Sequence, residues 1–201
     1  MSKNKMGVRD VFIAPVTVNT IGEYTTGSPQ RIPQALSVKR KESKESVEVY
    51  GDDILQENKT FFSKEEIEYE FNYLTSGIRS LIYGKKFVKG GVASNSDDNS
   101  GVFAVGHRTK TLSGKFALVW NYICNVDGGE DEDVDTQTNK PKPSTIKVKF
   151  ISSPRQKDGN YKYEINENDV IVGDTDAIAL LEMDPILKAP IFLKTVAEPI
   201  V

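Results

Sequence analysis

The chain offers few residues that could do chemistry. It holds a single cysteine, Cys124, and a single histidine, His107. A His/Cys zinc centre takes about four ligands, so these two cannot build one. Cys124 has no partner for an internal disulfide and ends a strand-forming run, where a small buried hydrophobe is expected rather than a nucleophile. One histidine leaves little room for a serine or cysteine triad, and there is no GxSxG elbow. Gly114-Lys115 is followed by Phe116, and Thr109 stands where a phosphate loop needs its first glycine. The acidic run Glu130-Asp131-Glu132-Asp133-Val134-Asp135 invites a calcium test. With Asp131, Asp133 and Asp135 at loop positions one, three and five, an EF-hand needs glycine at six and glutamate at twelve. Thr136 and Lys142 occupy those places, so a solvated acidic loop is expected. Carboxylate neighbours such as Glu65-Glu66 and Asp52-Asp53 are common on surfaces and do not identify a glycosidase pair. No enzyme activity, cofactor or metal is expected.

The elements that would position any functional residue are mostly strands. In 201 residues, 38% are apolar and 27% charged, with a formal net charge of -3. That suits one soluble, rather polar domain and gives no sign of a duplex-binding surface. No run approaches the roughly 18 apolar residues of a membrane helix, nor does a signal-peptide core follow the amino end. Folding in a cytoplasm is the expectation.

Period-two alternation dominates. Ile67, Tyr69, Phe71 and Tyr73 should point one way, with Glu66, Glu68, Glu70 and Asn72 the other. Ile146, Val148 and Phe150 alternate with Lys147 and Lys149, and Tyr161, Tyr163 and Ile165 with Lys162 and Glu164. Asp158-Gly159 reads as a tight hairpin between those last two strands. Ser113-Gly114 reads as another, between 102–111 and 115–124, while Gly27-Ser28-Pro29 breaks the chain between 8–18 and 31–38. A mainly β sandwich or barrel follows. Two helices are expected. One is capped by Thr75 or Ser76, carries Ile78, Leu81 and Ile82 at i, i+3 and i+4, and stops at Gly84. The other begins at Asp174 or Thr175 and ends before Pro185. Ile67, Tyr69, Phe71, Leu81 and Trp120 are expected in the core.

Three stretches read as loops. Residues 39–58 are heavily charged, 89–100 are rich in Gly, Ser, Asn and Asp, and 127–143 turn from acidic to Pro/Lys-rich. Loops beyond about 12–15 residues are uncommon in compact domains and often serve partners.

One succession of motifs resembles a known family. Gly7-Val8-Arg9-Asp10-Val11-Phe12 opens it, then Tyr50-Gly51-Asp52-Asp53, the alternating strand 67–73, and Leu81-Ile82-Tyr83-Gly84. Gly101-Val102-Phe103-Ala104-Val105-Gly106, Gly114-Lys115-Phe116 and Val119-Trp120-Asn121-Tyr122 complete it. In order and spacing this resembles the siphophage major tail proteins of the phi13 type, over roughly residues 7–165. The resemblance implies a tail-tube β-sandwich or barrel with one flanking short helix and long inter-subunit loops. The tail-tube β domain is expected over residues 1–165; beyond the resemblance, residues 166–201 are expected to be a C-terminal segment with a short helix plus arm. It further implies hexameric rings stacked into a tube around a tape-measure protein, in the virion tail after assembly in the host cytoplasm. Tail-terminator and distal tail proteins would be partners, and genomic DNA would pass without sequence-specific binding. In such proteins the long excursion corresponding to 39–58 reaches the neighbouring ring. Lys39, Arg40, Lys41, Glu42, Lys44, Glu45, Asp52 and Asp53 are therefore the expected contact residues. The alternatives are another tail part, a baseplate hub or tail-end connector, and a virion-surface binding module.

Overall fold

A computed structural model describes residues 4–51, 54–133 and 144–170. Over these residues the chain forms β1 (Lys5–Asn19), β2 (Tyr24–Thr26), β3 (Gln30–Ile32), β4 (Ala35–Gly51), β5 (Ile54–Phe71), α1 (Ser76–Tyr83), β6 (Lys86–Val88), β7 (Gly91–Ala93), β8 (Val102–Thr111), β9 (Phe116–Val126), β10 (Asp131–Asp133), β11 (Thr145–Ser153) and β12 (Lys162–Asn166). The fold is mainly β. Ten strands make one antiparallel sheet along the path β2-β1-β8-β9-β11-β5-β4, with β3 on β1, β10 on β11 and β12 on β9; β6 and β7 form a separate small hairpin.

Side-chain alternation decides the layers. In β5, Ile67, Tyr69 and Phe71 are buried while Glu66, Glu68 and Glu70 face out; in β11, Ile146, Val148 and Phe150 do the same against Lys147 and Lys149. These pack with Val11, Ile13, Phe103, Val105 and Cys124, and α1 adds Ile78 and Ile82. Burying each large apolar side chain here contributes about 1.5–3 kcal/mol. Val8 of β1 and Val38 of β4 reach this same core from distant strands, so the sheet curls around it as a barrel does. A second cluster on the other side of β1, β8 and β9 holds Ala14, Tyr24, Ala104, Leu118, Trp120, Tyr122 and Ile123, flanked by Tyr163 and Ile165. Because β9 is covered on both sides, its sequence FALVWNYIC is nearly continuous in large residues instead of alternating.

Local chemistry fixes the details. Trp120 lies against the backbone of β8 at Gly106, where an added Cβ would overlap its ring. Thr75 caps α1 by accepting the Ile78 amide through Oγ1 at 3.4 Å. Gly84 ends it with a left-handed φ of 65°. Of the expected core, Ile67, Tyr69, Phe71 and Trp120 are buried, and Leu81 is partly buried against the main cluster.

Several expectations need correcting. Asp158-Gly159 does not join two paired strands: β11 and β12 both pair with β9, Ser153 opposite Ile123 and Lys162 opposite Asn121. Nine residues of chain thus advance two positions along β9, and the remaining seven are looped out. Arg155 holds that loop, bonded to both oxygens of Asp158 at 2.6 and 2.8 Å with its guanidinium 4.0 Å over the Tyr122 ring. Tyr73 is exposed, since β5 ends at Phe71 and the chain turns. Tyr161 leaves the Tyr163 side and stacks on Phe62, centroids 3.9 Å apart. Residues 89–100 include strand β7, whose turn from β6 passes through Lys89-Gly90. The Ser113-Gly114 hairpin joins β8 and β9 as expected. The expected helix from Asp174 or Thr175 lies outside the described residues.

Candidate assembly interface

Residues 39–58 are not a loop. β4 and β5 pair from Ala35–Phe71 out to Gly51–Ile54. β5 pairs with β11 only from Glu65 to Phe71. Beyond that point, among the described residues, the two strands pair only with each other and stand out from the sheet as an arm. Nine residues of β4, from Ser43 to Gly51, extend it by roughly 30 Å at about 3.3 Å per residue. Over the described side chains, residues 44–48 and 57–62, both faces are mostly polar. Glu45 lies opposite Phe61 and Val47 opposite Lys59, on one face; Lys44 lies opposite Phe62, Ser46 opposite Thr60 and Glu48 opposite Asn58, on the other. Val47 and Phe61 are 55% and 53% exposed, both on the first face. A two-stranded ribbon of this kind is at best marginally stable alone in water.

The expected contact residues divide at the root of this arm. Lys39 faces outward and pairs with Glu68 at 3.4 Å, and Lys41 is exposed nearby. Lys44 pairs with Glu42 at 3.2 Å, and Glu45 accepts from Ser63 at 2.7 Å. Exposed pairs of this sort are worth about 0–1 kcal/mol. Asp52 and Asp53 lie outside the described residues. Arg40 overturns the expectation that the charged middle stays out of the interior: its side chain is only 17% exposed and meets buried Glu65 at 2.9 Å.

Glu65 was not among the expected site residues. It continues the inward series of Ile67, Tyr69 and Phe71, so the same alternation that marked the core also placed this carboxylate inside. Its oxygens accept from Arg40 at 3.0 Å, Asn121 at 2.7 Å and Lys162 at 3.3 Å. Asn121 also donates to Ser152 at 3.0 Å. Lys162 further approaches Glu42 at 3.8 Å, and Tyr161 donates to Glu42 at 3.0 Å. The bonds from Lys44 and Tyr161 lower the Glu42 pKa. Five strands, β4, β5, β9, β11 and β12, thus meet at one polar cluster where the arm leaves the sheet.

The reactive types are placed as core. Burial raises the Cys124 pKa to about 12, which keeps the thiol protonated. His107 is buried and bonded through Nδ1 to the Tyr69 hydroxyl at 2.7 Å. Burial, with Arg40 and Lys5 nearby, lowers its pKa to about 3, so the imidazole is neutral. Among the described residues no group of three or more His, Cys, Asp or Glu is arranged to hold a metal ion, and no helix is long and apolar enough to cross a membrane.

The acidic run is structured where it is described. Asp131–Asp133 form β10, paired with Thr145–Lys147 of β11. Glu130 is 13% exposed and pairs with Arg79 of α1 and with Lys85 at 3.0 Å. Burial raises its pKa, but the two cations outweigh that and the net shift is downward. A freely solvated loop is therefore the wrong picture for Glu130; residues 134–143 lie outside the described residues.

No protein-family model and no curated protein sequence matches the chain.

Proposed function

We propose that the chain is a structural subunit of a phage tail tube, polymerising as stacked hexameric rings around a tape-measure protein to form the conduit for the genome. The arm made by β4 and β5 is the contact between successive rings. The observation that carries this reading is that arm: some 30 Å of two-stranded ribbon with no strand partner among the described residues, yet with Val47 and Phe61 held out to solvent. Such a ribbon needs a surface to lie on. The motif succession from Gly7 to Ile165 supports the same reading. So does the sheet, which ends in β4 on one side and in β2 and β3 on the other. Exposed strand edges invite pairing with further chains, and a head-to-tail contact that closes by rotation gives a ring.

The test follows from where the arm leaves the sheet. Replacing residues 45–60 with a short Gly/Ser linker removes the arm but leaves Arg40, Glu42 and Glu65 in place. The shortened chain should stay soluble, keep its β circular dichroism and build no tubes visible by electron microscopy. Tubes of normal length and morphology would overturn the reading and move the inter-ring contact elsewhere.

A further inference from the structure

The arm has a weakness that its own composition cannot correct. A strand with one apolar face has its register set by burial, because a slip of one residue exposes that whole face; a ribbon polar on both sides lacks this constraint. Among the ribbon's described side chains beyond Glu65, Val47 and Phe61 share one face and both are exposed, while Phe62 on the other face stacks on Tyr161 at its root. The ladder also shifts by one residue between Ser43 and Lys44, at the arm's root. Something must choose that shift over its neighbours.

We propose that the Glu65-centred cluster is the register lock of the arm: it fixes which residues of β4 oppose which of β5 beyond the sheet, and so which face carries Val47 and Phe61. The placement of charge argues for it. Glu42 lies directly opposite Glu65 in the ladder, and like charges in that position are destabilising. Here Lys162 reaches both carboxylates, Arg40 meets Glu65, and Lys44 meets Glu42. Of these, the Arg40–Glu65 pair and the joint approach of Lys162 to Glu42 and Glu65 depend on how β4 is aligned with β5, whereas Lys44 and Glu42 share β4 and meet in any register. A slip of β4 by one residue turns Arg40 to the outer face and leaves Glu65 buried without its guanidinium. Buried ion pairs of this kind add little net stability, and a role in registry is their best-attested use. Because Asn121, Ser152 and Lys162 belong to β9, β11 and β12, the lock also ties the arm to the body of the sheet.

The consequence for assembly rests on the arm being the inter-ring contact; the lock itself does not. The experiment uses the full chain with Arg40→Met and Glu65→Leu together, which removes the charges but keeps the bulk. The melting temperature should change by no more than a few degrees. Amide exchange at positions 44–48 and 57–61 should quicken at least tenfold, with β8 and β9 unchanged. If the double variant fails to fold, Glu65→Gln, which keeps the shape, should still quicken arm exchange about threefold. Unchanged arm exchange in a folded variant would overturn the lock, whatever happens to assembly. Loosened arms with no tubes support both the lock and the tube reading. Loosened arms with normal tubes support the lock and count against the arm as the stacking contact.

Discussion

The two stretches of the β4–β5 hairpin obey different rules. Over the sheet, from Ala35 to Ser43 and from Lys64 to Phe71, residues face a core or solvent and hydrophobic burial sets their positions, apart from the charged cluster of Arg40, Glu42 and Glu65 at its outer end. Along the arm, no core lies on either side of the described side chains, and position comes from hydrogen bonds between the strands and from charge at the root. The body tolerates little change in shape; under the proposed assembly the arm tolerates little change in what it presents. Stability and assembly should therefore respond to different residues.

The sharpest break falls in the body. Gly106→Ala puts a methyl group into the Trp120 ring, a rigid and fully buried side chain with little room to turn aside. Overpacking costs about 1–3 kcal/mol and sometimes more. This substitution should fall at or above the top of that range, read as loss of soluble protein or of the cooperative melt. Among the arm's described side chains, Val47 and Phe61 are half exposed, and one added methyl should do no comparable harm there.

Next is the buried imidazole. With its folded pKa near 3 against an ordinary 6.5, His107 takes up a proton when unfolded but not when folded throughout that interval. Acid therefore favours unfolding from about pH 6.5 downward. Between pH 6.5 and 5, before carboxylates contribute, the melting temperature should fall in the native chain and stay flatter in His107→Gln. Equal slopes would contradict the buried, neutral assignment.

Glu130 and Asp131 separate anchored from unanchored acid. Glu130→Gln should cost about 1–2 kcal/mol by denaturant titration, as expected for a charge-assisted hydrogen bond, since Arg79 and Lys85 both lose an anion. Asp131→Asn should stay within about 0.5 kcal/mol.

The smallest effect on stability belongs to the arm. Val47→Ser with Phe61→Ser should move the melt by no more than about 0.5 kcal/mol equivalent, because both side chains are already in water. If the arm is the contact between rings, as proposed, the same pair should reduce tube formation at least tenfold in a sedimentation assay. A large loss of stability would mean that the arm packs on its own body.

The division also explains what could be read from sequence. Strands with one wet face were legible because alternation is burial written out: Ile67, Tyr69 and Phe71 against their glutamates, and Ile146, Val148 and Phe150 against their lysines. The helix was legible from Thr75, from the spacing of its apolar residues and from Gly84. The arm was not, because charged residues on both faces look the same in a ribbon as in a loop; pairing supplied by the opposite strand leaves no local mark. Arg40 and Glu65 were misplaced for a related reason. Charge argues for solvent, and only the parity of Glu65 with Ile67 argued against it. Asp158-Gly159 misled because a turn signal says that the chain bends, not which strand the next segment joins.

The sheet order has a consequence in time. β4 and β5 are consecutive in the chain, whereas β1 waits for β8, with Ile13 opposite Val105, and β5 waits for β11. Local hairpins close in about 1–10 μs, while pairings distant in sequence are slow. At roughly 5–20 residues per second, a ribosome finishes β5 seconds before β11 exists. For that interval the hairpin stands alone with its inward residues uncovered. Charged side chains on a strand oppose its pairing with other chains, and the lysines and glutamates along β4 and β5 supply that charge during the interval.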